Sequence, residues 1–222
     1  GMQPINVDKQ YHFFNPRAGV SYTLAERNNF YLSFAVAQKE PTRSDFTDRY
    51  KFAADDTYPS SEKLYDWELG YQYTAPRLSL GVNLYYMKYK DQLVPTGMVN
   101  DDSNALNTNV PDSYRRGVEL SASWRATGWF TVGANATFSQ NRIENYVDAL
   151  KDSPTYGKEL GDMTIAYSPD VIANAFLNFH HRGFEAVFHT QHVGKQYFTN
   201  NENDALSLDA YCVTNLNLAY TF

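Results

Sequence analysis

The stretch from Leu64 to Val94, LYDWELGYQYTAPRLSLGVNLYYMKYKDQLV, constrains the fold more than any other part of the chain. Trp67, Leu69, Tyr71 and Tyr73 share one parity, and Asp66, Glu68, Gly70 and Gln72 the other. After Ala75-Pro76-Arg77 the alternation resumes, with Leu78, Leu80, Val82 and Leu84 set against Ser79, Gly81, Asn83 and Tyr85. A period of two residues belongs to extended strand with two chemically different faces. A short break containing proline folds the second strand back on the first. The pattern predicts a hairpin of strands about 12 to 16 residues long, against roughly 5–6 in ordinary globular sheets. Strands of that length, apolar on one side and polar on the other, suit a wall between hydrocarbon and water.

The same two-faced pattern recurs along the chain. A first strand is expected from Phe13 to Ala25, with Pro16, Ala18, Val20, Tyr22 and Leu24 on its apolar face. A turn at Glu26-Arg27-Asn28-Asn29 leads to a second carrying Phe30, Leu32, Phe34 and Val36. Beyond the central hairpin, Val118, Leu120, Ala122 and Trp124 precede a Thr127-Gly128 turn into Phe130, Val132, Ala134, Ala136 and Phe138. A strand from Pro169 to His180, with Val171 to Phe179 alternating, then turns through His181-Arg182-Gly183 into a strand from Phe184 to Gln196, and a ninth runs from Leu208 to Phe222. Long polar connections are expected at Gln38–Ser61 (with Asp55 and Asp56), Pro95–Asp112, Arg142–Ser168 and around Asn200–Asp204, so short and long connections alternate. Transmembrane barrels show that alternation because one rim carries short turns and the other longer external loops. Tyr22, Phe30, Tyr73, Trp124, Phe130, Phe179 and Phe184 lie beside the short turns as an aromatic girdle. Trp124 is expected opposite Phe130, and Phe179 opposite Phe184. Arg17, Glu68, Glu119 and Arg125 fall on the polar face, which would line a lumen.

Composition supports this reading by exclusion. A formal charge of −6 with no basic run argues against a nucleic-acid partner. A single cysteine, Cys212, rules out an internal disulfide. No apolar run approaches the roughly 18 residues of a membrane-spanning helix. A mean hydropathy of −0.54 is compatible with alternating barrel strands.

Several segments resemble the distal barrel of TonB-dependent outer-membrane receptors. They are Asn15-Pro16-Arg17-Ala18-Gly19-Val20, the Glu62 and Glu68-Leu69-Gly70 stretch, Leu84-Tyr85-Tyr86 with Tyr89-Lys90-Asp91-Gln92-Leu93, and Arg116-Gly117-Val118-Glu119-Leu120. Pro59 stands three residues before Glu62, where the family pattern has one. The resemblance implies a parent protein in the cell outer membrane that takes up a scarce ligand, such as an iron–siderophore, haem, cobalamin or glycan. It further implies partners in outer-membrane lipid, in a small ligand at the external loops, and in a TonB complex reached through a plug segment absent here.

The fold expected is all-β: an antiparallel up-and-down meander of about nine long strands, an arc of a transmembrane β-barrel, closed on itself or dimerised if isolated. Residues 1–222 form a single partial barrel domain. Residues 1–10, opening Gly1-Met2, read as a tag scar and lead-in. Two alternatives stand beside it: a soluble ligand-binding barrel or sandwich, which would bury Phe34, Leu69, Leu80, Leu120 and Val132 in a closed interior, and an autonomous small outer-membrane barrel.

No enzyme chemistry, cofactor or metal is expected. The turns place His180 near Gly183, His189 near Asn174 and His192 near Val171, and His189 and His192 differ in parity, so no ligand set forms and the histidines read as solvated or lumen-facing. Asp101-Asp102 and Asn200–Asp204 lack the ordered spacing of a calcium loop. Gly157-Lys158 lacks the glycines of a phosphate loop. Tyr114-Arg115-Arg116 either grips an anion or snorkels to lipid headgroups, the second being preferred. Tyr50, Tyr58, Tyr146 and Tyr156 suit ligand capture from long loops, as they suit any polar loop.

Overall fold

A computed structural model describes residues 8–47, 58–100 and 103–222. Gly1-Met2, Tyr50, Asp55-Asp56 and Asp101-Asp102, singled out above, lie outside the described residues. Nine strands form one antiparallel meander in which each pairs with the next: β1 (Arg17–Leu24), β2 (Asn28–Lys39), β3 (Glu62–Ala75), β4 (Leu78–Val99), β5 (Ala105–Arg125), β6 (Phe130–Ile143), β8 (Val171–His181), β9 (Phe184–Val193) and β12 (Tyr211–Tyr220). Short β7 (Met163–Thr164) pairs with the end of β6, while β10 (Gln196–Tyr197) and β11 (Ser207–Leu208) make a ribbon of their own. The sheet is open, with β1 and β12 as its two edges.

Register carries the two chemistries from strand to strand. One row reads Phe30, Tyr71, Val82, Leu120, Ala136 and Ala173. The row beside it, on the other face, reads Asn29, Gln72, Gly81, Ser121, Asn135, Asn174 and Gln191. Among the described residues nothing covers the apolar face: Leu69 is 51% and Leu120 41% exposed. A sandwich would bury both side chains, so that alternative fails on packing.

On the polar face three glycines lie directly across from aromatic rings: Gly70 from Tyr31, Gly117 from Tyr85, and Gly133 from Phe176. A Cβ on Gly70 would stand 2.0 Å from Tyr31 Cζ, so the missing side chain is what lets the phenol lie over the neighbouring backbone.

Three sequence expectations need correction. Trp124 pairs with Val132 and Phe179 with Ala186; the stacked pair is Phe130 with Phe179, centroids 4.6 Å apart. The β8–β9 hairpin turns on two residues, Arg182 (φ 47) and Gly183 (φ 80), a left-handed pair that fits a tight hairpin turn. Its histidines consequently pair two positions from where they were expected: His180 with Glu185, His189 with Phe176 and His192 with Ala173. Finally, Pro95–Asp112 is mostly strand: β4 and β5 stay paired up to Val99 and Ala105. β3 stops pairing with β4 at Lys63–Lys90, so this hairpin stands above its neighbour.

Candidate functional site: the loop shelf and the inner wall

The features able to meet a ligand gather at the long-loop end. They begin with a backbone event at Asp91, whose φ of 53 interrupts the strand alternation. Below it, even-numbered residues of β4 such as Leu80, Val82 and Leu84 face outward and are exposed; above it, Gln92, Val94 and Thr96 are buried. The faces exchange at this one left-handed residue without a shift of register, since Lys90 pairs with Asp112 below it and Gln92 with Val110 above it. The apolar side of the upper hairpin therefore packs against the other loops. Val94, Val110, Ile143, Tyr146 and Ile165 form the hydrophobic core found among the described residues, with Leu160 and Met163 against it.

Buried polar side chains lock this shelf. Asn200, fully buried, accepts from Ala166 N at 2.7 Å through Oδ1 and donates to Pro95 O at 2.7 Å through Nδ2. It thus ties three connections together. Asp148 Oδ1 accepts from Leu150 N, and its Oδ2 accepts from Thr155 Oγ1 and Asn201 Nδ2. Burial opposes its ionisation, but hydrogen bonds from Ser153, Thr155, Leu150 and Asn201 outweigh burial and hold the carboxyl below the usual aspartate range. Asp45, in a short helix (Arg43–Thr47), is held low in the same way: burial is outweighed by Asn107 on the β5 side of the hairpin and by Thr42. Burial pushes the Tyr146 phenol up, helped by nearby Asp148.

These positions revise the loop readings. Asn200–Asp204 is structural: Asn201 donates to Asp148, Asn203 caps a 3₁₀ turn, and Asp204 accepts from Lys195 Nζ at 2.5 Å. Tyr146, only 2% exposed, belongs to the shelf's core, where the sequence suggests a ligand-facing loop. Tyr58 is exposed beside Lys9, whose Nζ lies 5.3 Å from its ring.

Under the shelf, the inner face is polar and charged. Glu68, Asn83, Tyr85, Arg115, Glu119 and Ser168 line a concavity of about 350 Å³. Arg115 Nη1 donates to Ser168 Oγ at 3.0 Å and to Asn141 Oδ1 at 3.3 Å, and Asn83 Nδ2 donates to Glu119 Oε2 at 3.2 Å. The expected Tyr114-Arg115-Arg116 group therefore divides. Arg115 points to the lumen, whereas Arg116 points outward between Tyr86 and Gln140, its guanidinium 5.3 Å from the Tyr114 ring. That outward position carries a second aromatic band, in which Phe34, Trp67 and Tyr86 sit side by side with centroids 5.2 and 5.7 Å apart.

His189 faces inward with Phe176, while His192 faces outward, its Nδ1 3.4 Å from Cys212 Sγ. The two histidines thus occupy opposite faces, as their parity requires, and His192 departs from the lumen-facing expectation. Among the described residues no group of three or more His, Cys, Asp or Glu side chains is placed to hold a metal.

Comparison with known proteins gives the following. Residues 3–222 match the family described as TonB dependent receptor-like, beta-barrel. Among solved structures, the ferric yersiniabactin uptake receptor FyuA of Yersinia pestis is 19% identical, with a TM-score of 0.63 over 92% of this chain and 29% of that one. The copper transporter OprC is 18% identical, with a TM-score of 0.69 over 92% and 30%. The FrpB iron transporter of Neisseria meningitidis is 19% identical, with a TM-score of 0.62 over 93% and 32%. The chain thus spans about a third of the length of each of these proteins.

Proposed function

The chain belongs to the TonB-dependent receptor-like β-barrel family, and from that premise we propose that it forms part of the wall of an outer-membrane receptor that imports a scarce ligand. The ligand class is an iron–siderophore, haem, cobalamin or glycan, met at the loop shelf and passed along the polar inner face. Uptake is driven by TonB through a plug segment outside this chain. The chain itself performs no chemistry on its cargo.

The observation that carries this reading is the pairing of faces. Rows of Phe, Leu, Val and Ala share one uncovered face and rows of Asn, Gln and Ser the other, as lipid and a lumen would require, and a loop shelf crowns only one end. In the inner wall, Arg115 is the cation placed to meet an anionic cargo or plug, beside Glu68 and Glu119.

The test is uptake by the protein at its native length, in an outer membrane lacking its other receptors. Radiolabelled ferric catecholate, ferric yersiniabactin-type chelate, haem and cobalamin serve as probes. One of them should accumulate in an energy-dependent way, and Arg115→Ala should lower that uptake. Failure of every probe to accumulate, with the protein correctly inserted, would contradict import of this ligand class.

A further inference from the structure

We propose that the outward groove beneath Arg116 binds a phosphorylated lipid of the surrounding leaflet, with the phosphate on Arg116 and an acyl chain along Val118, Phe138 and Val171. This rests on the membrane-spanning reading above. The groove, about 640 Å³, runs between Tyr86, Arg116, Val118, Phe138, Gln140, Asp170 and Val171. Its floor is apolar, and Phe138 is exposed on it.

Height fits a headgroup. Arg116 lies eight residues above Trp124 on β5, about 27 Å along the strand at roughly 3.4 Å per residue. At a barrel tilt of about 40° that is a rise of about 21 Å, which puts the guanidinium just inside the upper margin of an apolar band roughly 25 Å tall, within side-chain reach of the headgroups.

Charge fits as well. Above the groove, Lys63, Lys88, Lys90, Arg116 and Arg142 face outward by register, on a chain whose net charge is −6. The carboxylates near them are already engaged: Lys88 bridges Asp112 and Glu144, Lys90 also binds Asp112, and Arg142 lies 3.8 Å from Asp170. Arg116 differs. Its Nε and Nη2 donate to Gln140 Oε1 at 2.9 and 2.7 Å and its face meets Tyr114, with no carboxylate partner among the described residues. A guanidinium pre-oriented by a neutral amide keeps its charge and its Nη1 donors for a phosphate. Free phosphate would gain nothing from the apolar floor, and the lipid uses both.

The test uses the native-length protein extracted in detergent and titrated with diphosphorylated lipid A, with the same glycolipid after dephosphorylation, and with inorganic phosphate. Binding is read by native mass spectrometry. Arg116→Gln should weaken retention of the phosphorylated lipid about five- to tenfold, as expected for one cation near a charged headgroup, and Arg116→Lys should restore part of it. Phe138→Ser should weaken both glycolipids. Heat-dependent gel mobility identifies the folded variants. Equal retention by wild type and Arg116→Gln, equal retention of the dephosphorylated lipid, or equally tight inorganic phosphate would each overturn the proposal. Failure of the membrane reading has a different signature, since the protein would then stay dispersed without detergent.

Discussion

The strand wall and the loop shelf are built from one sheet yet obey opposite rules. In the wall, between the short turns and about the level of Tyr86, large apolar side chains point outward and remain exposed, and the inner face carries amides, hydroxyls and charges. In the shelf, Ile143 and Val94 are buried, and Asn200 and Asp148 have no contact with solvent. The shelf is therefore stabilised as a water-soluble protein is, by its own core and by satisfied buried polar groups. The wall's outer face contributes hydrophobic stabilisation only when something apolar covers it. Asp91 is the boundary between the two regimes: one left-handed residue changes which face of β4 is the greasy one to hide.

If that contrast is right, substitutions should separate the two regions. The largest effect is expected for Leu69→Arg, which places a cation on the lipid face and should cost about 2–4 kcal/mol in denaturant unfolding from lipid vesicles. The same change at the neighbouring inner position, Glu68→Arg, should cost far less. Asn200→Ala leaves Ala166 N and Pro95 O without a partner and should cost about 1–3 kcal/mol. That loss should appear as faster hydrogen exchange in the shelf, with β2 and β3 unchanged. Gly70→Ala pushes on the Tyr31 ring and should cost about 1 kcal/mol, the low end of overpacking, because the phenol can swing into the lumen. A Tyr31→Ser background should abolish that penalty.

The smallest effect is in pH. The Asp148 carboxyl is held below its ordinary value in the folded shelf. The stability it contributes is fully present above the unfolded value of about 3.9 and is lost as pH falls through the lower folded value. Shelf exchange protection should be flat from neutral pH to about 4 and then fall, more steeply than in Asp148→Asn. A shelf whose protection instead declines between pH 8 and 6 would assign its stability to other groups.

The sequence was legible where its period is short. Alternation placed Leu69, Leu120, Val132 and Ala173 on one face because side chains in a strand must alternate. The predicted pairs Trp124–Phe130 and Phe179–Phe184 were displaced by two residues, a slip that preserves every face, so the faces stood while the partners did not. What escaped was non-local. The Asn- and Asp-rich run from Pro95 to Asp112 has loop composition, yet pairs as strand, and its Asn107 and Asn109 side chains reach Asp45 and Ser60 across the shelf. Asn200 meets Pro95 from 105 positions away, and no window on the sequence contains both. The inner wall was visible only as a polar parity. That Arg115 and Arg116 serve opposite sides follows from adjacency on a strand, and their separate partners required three dimensions.

The measurement that bears most directly on the account is a nitroxide scan of neighbouring residues in the wall. Val82, Asn83, Leu120 and Ser121 are each labelled through a cysteine in a Cys212→Ser background, with the protein in lipid vesicles. Labels at 82 and 120 should relax with membrane-dissolved oxygen and be shielded from a water-soluble nickel chelate, while labels at 83 and 121 should show the reverse. Equal access of the chelate to all four positions, or the opposite alternation, would contradict a wall that turns its apolar face to lipid.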